Sequence, residues 1–143
     1  MKSDNCIKME FLSKSCNEGF SRVAVAALAS QLDPTLEQIN EIKTAVSEAV
    51  TNAIVHGYRD SIGVIYITAK IRGTKLTVTI RDRGCGIPDI DKAREPLFTT
   101  GDENERSGMG FTIMESFMDR VRVRSTVGGG TKVTLEKQLD IKE

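Results

Sequence analysis

The feature that most restricts how this chain can fold is a change of hydrophobic period. Ile39, Ile42, Ala45, Val46, Ala49, Val50, Ala53 and Ile54 recur at three- and four-residue spacing, and the segments after them alternate apolar with polar residues. The first pattern is the buried stripe of one long helix and the second is the period of half-buried strands, so helix and sheet must share a core. Glu48, Asn52 and His56 fall beside the helical stripe. Residues four apart stand one turn above each other, which puts the Glu48 carboxylate and the Asn52 carboxamide on one side of the helix. Such a pair is either a solvated polar edge or a site. A carboxylate and a neutral oxygen can share one hydrated Mg2+ and its phosphates, leaving the carboxylate to orient or deprotonate a nucleophile.

Length and charge narrow the class. The 143 residues, 39% hydrophobic and 28% charged, suit one globular domain over 1–143. Lys+Arg and Asp+Glu balance at 20 each, so bulk charge argues for neither nucleic acid nor an anionic membrane as partner. The longest strictly apolar run, Val23 to Ala29, is too short to span a bilayer, and Met1-Lys2-Ser3-Asp4 has no apolar segment behind it to make a signal peptide. Cys6, Cys16 and Cys85 are odd in number and lack a CxxC pair, which fits free thiols in a reducing cytoplasm.

In chain order, Ile7 to Phe11 alternates as a first strand. Asn17 is expected to cap a first helix with an inward stripe of Phe20, Val23, Ala24, Ala27 and Leu28, leaving Arg22 exposed. Asp33 as N-cap and Pro34 at the first helical position are expected to open the long helix, and Gly57 to end it. Val64 to Ile71 and Leu76 to Ile80 read as an antiparallel hairpin around Arg72-Gly73-Thr74. At the end of the second strand comes Asp82-x-Gly84-x-Gly86. Two glycines there let backbone approach a flat ligand, and the Asp can accept from an exocyclic amino group; the alternative is a tight turn. Asp89 stands where a dinucleotide fingerprint needs its third glycine.

Asp89 to Arg94 suits a short helical turn. Strong periodicity is absent from Pro88 to Gly110, and residues 96–110 read as a long polar loop, of the kind that is either a lid or a disordered segment. Gly108-Met109-Gly110 opens a helix with the stripe Phe111, Ile113, Met114 and Phe117, and a glycine-rich helix entry offers unpaired N–H groups to phosphate. Val121 to Arg124 and Thr131 to Glu136, joined at Gly128-Gly129-Gly130, form a second hairpin whose Arg and Lys residues face solvent rather than nucleic acid. The order β, α, α, β, β, lid, α, β, β describes an α+β two-layer sandwich with a mixed, mostly antiparallel sheet.

Glu48-x-x-x-Asn52, Asp82-x-Gly84-x-Gly86, Gly108-x-Gly110 and Gly130-Thr131 resemble, in order and approximate spacing, the ATP-binding boxes of the GHKL superfamily, which spans gyrases, heat-shock chaperones, histidine kinases and mismatch-repair ATPases. The stretches Ser47 to Tyr58, Pro96 to Thr100 and Glu105 to Met118 are similar to the anti-sigma serine kinases of spore-forming bacteria. The resemblance implies ATP and Mg2+ as cofactors. It gives Asp82 the adenine amino group, with Gly84 and Gly86 shaping the pocket and Thr131 supporting that end. Asn52 would bind Mg2+, Glu48 would act as general base, and Gly108 and Gly110, helped by Arg106, would hold the phosphates. It also implies a sporulation sigma factor as binding partner, with Arg22 facing it, an anti-anti-sigma protein as phosphorylation substrate, and a homodimer. A general-stress anti-sigma kinase, or a nucleotide-gated sigma-binding module without kinase activity, are the alternative readings. His56 lies in the same helix as Asn52, where an acceptor histidine is not expected, and it reads as structural near the helix end. Cys85 receives no role.

Overall fold

β1 (Asn5–Leu12), β2 (Val64–Arg72), β3 (Lys75–Asp82), β4 (Arg120–Thr126) and β5 (Gly130–Gln138) form one sheet of order β1-β2-β3-β5-β4 in a computed structural model that describes residues 4–94 and 110–139. The lid expected at 96–110 lies outside the described residues apart from Gly110, as do Arg106 and Gly108.

Among the described residues every strand pairing is antiparallel, which corrects the expected mixed sheet. The connections explain why. Between β1 and β2 the chain runs down α1 (Cys16–Ala29) and back up α2 (Leu36–Asn52), so β2 must return against β1. Between β3 and β4 lie the short α3 (Ile90–Ala93) and α4 (Gly110–Phe117), a crossover that leaves β3 and β4 running the same way. The β4–β5 hairpin inserts β5 between them, so no parallel pair forms.

One face of the sheet carries the core. Ile65, Ile67, Ala69 and Ile71 of β2, Leu76, Val78 and Ile80 of β3, and Val133 and Leu135 of β5 alternate inward, as the strand period requires. Against them α2 sets Ile42, Ala45, Val46, Ala49 and Val50, all buried, and α4 sets Phe111 and Met114. Each large aliphatic side chain so buried contributes about 1.5–3 kcal/mol. Lys137 of β5 adds a buried tie, its Nζ 3.0 Å from Glu41 of α2.

The helix ends differ from expectation in ways that have local causes. Thr35, not Asp33, caps α2: its hydroxyl accepts from the Gln38 N–H while the Gln38 side chain accepts from the Thr35 N–H, each at 3.1 Å, a reciprocal capping box. Asp33 instead takes the left-handed conformation (φ 49°) that ends a single 3-10 turn, Ser30–Leu32. Asn17 lies inside α1 rather than at its cap, and donates to the Leu12 carbonyl at 2.9 Å.

The buried face of α1 is also rotated. Ser21, Val25, Ala26, Leu28 and Ala29 are buried, whereas Phe20 and Val23 remain 64% and 56% exposed. Ser21 is accommodated because its hydroxyl donates to the Glu18 carbonyl at 2.7 Å, so burial leaves no unpaired group. Cys6, Cys16 and Cys85 are free and exposed. No described helix is long and apolar enough to cross a membrane.

Candidate functional site

The chain directions that make the sheet antiparallel also bring four element ends together: the C-termini of α2 and β3 and the N-termini of α4 and β5. Between them lies a cavity of about 340 Å³. Ala49, Ala53, Ile80, Ile87, Phe111 and Val133 supply apolar walls, and Asn52, Asp82, Gly86, Gly110 and Thr131 line it as well. A flat apolar ring with polar edges is the ligand such a wall composition suits.

Asp82 closes β3 and is 4% exposed. Its Oδ1 accepts from the Gly84 N–H at 2.9 Å, and the Thr131 residue opposite it in β5 adds a second backbone bond. Burial pushes the Asp82 carboxyl above the usual aspartate value of 3.8, and the Gly84 and Thr131 N–H groups offset part of that rise. The folded chain therefore holds this proton more tightly than the unfolded chain. The group's contribution to stability is fully present below pH 3.8 and is lost as pH rises through the raised value.

Gly84 follows because the chain after Asp82 passes over the end of α2. A Cβ at Gly84 would stand 1.9 Å from the Gly57 carbonyl oxygen, so any larger residue would separate the two segments. The approach is sealed by the Cys85 N–H donating to that same oxygen at 2.9 Å and the Cys85 thiol donating to the His56 carbonyl at 3.0 Å. Beyond Asn52 the helix widens into a π turn, Ala53–Gly57, closed by Tyr58 N–H to Ala53 O at 3.0 Å. Gly57 thus ends a π turn rather than the α-helix expected from sequence, and π turns of this kind often accompany sites.

At the other end of the cavity Glu48 and Asn52 stand one turn apart on α2, as the spacing requires. Glu48 is only 9% exposed, so the pair is not a solvated edge. Both side chains face the start of α4. A Cβ built at Gly110 would come 3.1 Å from Asn52 Nδ2, 3.3 Å from Asn52 Oδ1 and 3.5 Å from Glu48 Oε1. A larger residue at 110 would crowd the carboxamide. No cluster of three or more His, Cys, Asp or Glu able to hold a metal occurs among the described residues. Mg2+ keeps several waters and binds through one or two protein oxygens and phosphate, a role for which the Asn52 carboxamide oxygen has the right chemistry.

Six of the residues singled out from sequence thus meet at one cavity or its rim: Glu48, Asn52, Asp82, Gly86, Gly110 and Thr131, with Gly84 packing behind them. Arg22 does not line it. Its guanidinium lies on α1, 3.5 Å from Glu18 one turn earlier, with its side chain 43% exposed. His56, Arg59 and Cys85 do line the cavity, although the sequence singled out His56 only as structural and Cys85 as without a role. Ser125 was missed altogether. Its Oγ accepts from the Ile87 N–H at 2.7 Å, donates to the Gly130 carbonyl at 3.0 Å and lies 2.9 Å from Thr131 Oγ1, so it fixes the glycine loop to β5. A lone serine in an Arg-rich edge strand carries no spacing signal that would mark it.

Residues 18–137 match the family described as the histidine kinase-like ATPase domain. The chain is 57% identical over 139 residues to the anti-sigma F factor of Thermoanaerobacter sp. (strain X514), covering 97% of each chain. It is 54% identical over 140 residues to that of Clostridium acetobutylicum, covering 98% of each. Among solved structures, the RsbU and RsbW domains of a Mycobacterium tuberculosis protein superpose with a TM-score of 0.68 at 19% identity, over 94% of this chain and 32% of that one. The histidine kinase domain of a blue-light activated kinase from Erythrobacter litoralis superposes with a TM-score of 0.56 at 23% identity, over 85% and 61%. At those identities the two structures speak for the fold alone.

Proposed function

Since the chain belongs to the anti-sigma F factors within the histidine kinase-like ATPase family, we propose that it binds and inhibits a sporulation sigma factor and, as an ATP-dependent serine kinase, phosphorylates and inactivates an anti-anti-sigma protein. The observation that carries the enzymatic half is the meeting of Glu48, Asn52 and Gly110 at one end of a cavity with Asp82 at the other. A module that only senses nucleotide has no use for a mostly buried carboxylate at that end.

In this reading the apolar walls take the faces of adenine, and the Asp82 carboxylate accepts from its exocyclic amino group with Thr131, Gly84 and Gly86 setting its surroundings. The phosphates extend toward the N-terminus of α4 at Gly110, with Gly108 and Arg106 of the preceding segment assigned to them by the family resemblance alone. Asn52 would hold Mg2+, which when bound would neutralise phosphate charge. Glu48 orients the acceptor serine and takes its proton as the hydroxyl oxygen bonds to the terminal phosphorus; the bond from that phosphorus to the bridging oxygen breaks and ADP leaves. Most of the rate then comes from positioning and charge neutralisation. The protein acts as a homodimer in the cytoplasm, with Arg22 on the partner-facing side of α1.

Labelled ATP incubated with the purified protein and candidate anti-anti-sigma acceptors tests the reading. Phosphate transferred to a serine of the acceptor is the expected result, and transfer to none of them would leave only the sigma-binding half. Arg22→Ala is expected to lose capture of the sigma factor in an ATP-containing pull-down while keeping its affinity for ATP, because the residue does not line the cavity. Normal capture would return Arg22 to an ordinary surface role paired with Glu18.

The raised Asp82 value gives a further expectation. An amino group bound by the ionised carboxylate favours the charged form, so ADP binding should lower this pKa and release protons in the window between its value with ADP bound and the raised value of the free protein. Affinity should fall as the solution is acidified through that window. Calorimetry in buffers of different ionisation enthalpy measures the release, and the same titration of Asp82→Asn should show only the part due to the phosphates. Equal proton release in both proteins would remove Asp82 from the base site.

A further inference from the structure

The loop that carries the base-reading residues, Asp82 to Gly86, is hung from the segment just after α2 by the Cys85 contacts to Gly57 and His56 and by one side chain, Tyr58. The Tyr58 hydroxyl donates to the Val64 carbonyl at 2.7 Å and accepts from the Arg83 N–H at 2.6 Å. Arg83 is the residue between Asp82 and Gly84, so this bond holds the peptide that follows the adenine-reading carboxylate. The same hydroxyl is thereby tied to the first residue of β2, a strand built into the sheet on both sides. The ring has a prepared place: a Cβ at Gly63 would come 2.2 Å from Tyr58 Cε1, so only glycine at 63 leaves room for it, and Gly63 is itself held by Ser13 through both its N–H and its carbonyl, at 3.0 and 2.9 Å. The Arg83 side chain is held separately, its guanidinium 5.0 Å above the Tyr66 ring.

We propose that Tyr58 is a positioning residue for base recognition: its hydroxyl fixes the Asp82–Gly84 turn, and through it the direction of the Asp82 carboxylate, so that adenine is preferred over guanine. The proposal rests on the reading of Asp82 as the acceptor for the adenine amino group. Discrimination by a polar contact depends on the acceptor being held in place, because a carboxylate on a turn that can shift moves away from a carbonyl edge and loses much of the penalty for facing a second acceptor. The phosphate end of the cavity, built from α2 and α4, does not depend on this bond.

Tyr58→Phe keeps the ring in the place that Gly63 provides and removes only the hydroxyl. Affinities of the full chain for ATP, ADP and GTP are measured by calorimetry for wild type and variant, alongside thermal melts. The expected result is a loss of about tenfold in the ATP-over-GTP preference, the equivalent of about 1.4 kcal/mol, with the ratio of ATP to ADP affinity unchanged. A lower melting temperature with wild-type base preference would show a merely structural bond and overturn the proposal. If Tyr58→Phe proved too unstable to assay, Gly63→Ala, which displaces the ring without touching the hydroxyl's chemistry, should show the same loss of preference, and retained preference there would overturn it equally. Absence of any ATP-over-GTP preference in the wild type would overturn this proposal together with the assignment of Asp82, whereas a wild-type preference that Tyr58→Phe keeps in full overturns the role of Tyr58 alone.

Discussion

Glu48→Gln is expected to slow phosphoryl transfer to the acceptor serine by about two to four orders of magnitude while nucleotide affinity changes little. The substitution keeps the shape and hydrogen-bonding reach of the side chain and removes its ability to accept a proton. Glu48 is 9% exposed and faces the start of α4 beside Asn52, so a residue at this place can meet the acceptor hydroxyl in a space sheltered from bulk water. Single-turnover transfer, followed with labelled ATP, measures the chemical step without interference from product release. Sigma-factor capture by the same preparation should persist, because holding a partner needs no base. A variant that phosphorylates at the wild-type rate would take the general-base role away from Glu48.

Asn52→Ala is expected to abolish Mg-dependent ATP binding and to leave the fold intact. The two halves of that expectation have separate grounds. Asn52 lies at the last turn of α2, half-buried, and its carboxamide points to the space kept open by Gly110; the helix is held from the other side by Ile42, Ala45, Val46, Ala49 and Val50. Removing the carboxamide takes away the oxygen proposed for Mg2+ without opening a cavity in that stripe. Circular dichroism should show unchanged helix content, and calorimetric titration should show no Mg-ATP binding. Unchanged affinity in the presence of Mg2+ would exclude Asn52 from the metal site.

Much of the fold was legible because hydrophobic period reports burial directly. The α2 stripe and the two hairpins lie where the spacing put them, since each buries one face against a single neighbour layer, whereas of the expected α4 stripe Phe111 and Met114 are buried and Ile113 and Phe117 only partly so. α1 shows where that inference fails. Its apolar residues, four Ala, two Val, one Leu and one Phe, are spread around more of the helix than the face it buries; Val25, Ala26, Leu28 and Ala29 turn inward, and Phe20 and Val23 are left outside. The N-cap of α2 shows a different failure. Asp33-Pro34 and Thr35-x-x-Gln38 are both legitimate starts, and the reciprocal pair of hydrogen bonds at the second outweighs the single cap at the first.

The sequence by itself determined the local chemistry of the site: the i,i+4 pairing of Glu48 with Asn52, the glycines that let backbone segments approach, and an aspartate at a strand end. These are short-range properties, fixed by helical geometry and by the absence of a Cβ. Only the tertiary structure decided that they face one another. Asp82 lies opposite Thr131 because β5 inserts beside β3, a register between residues far apart in the chain that no local period encodes. Burial at that junction, which raises the Asp82 pKa, depends on the same packing. Tyr58 and Ser125 acquire their partners Arg83 and Ile87 in the same way, through contacts formed only when α2, β3 and β4 have been brought to one end of the sheet.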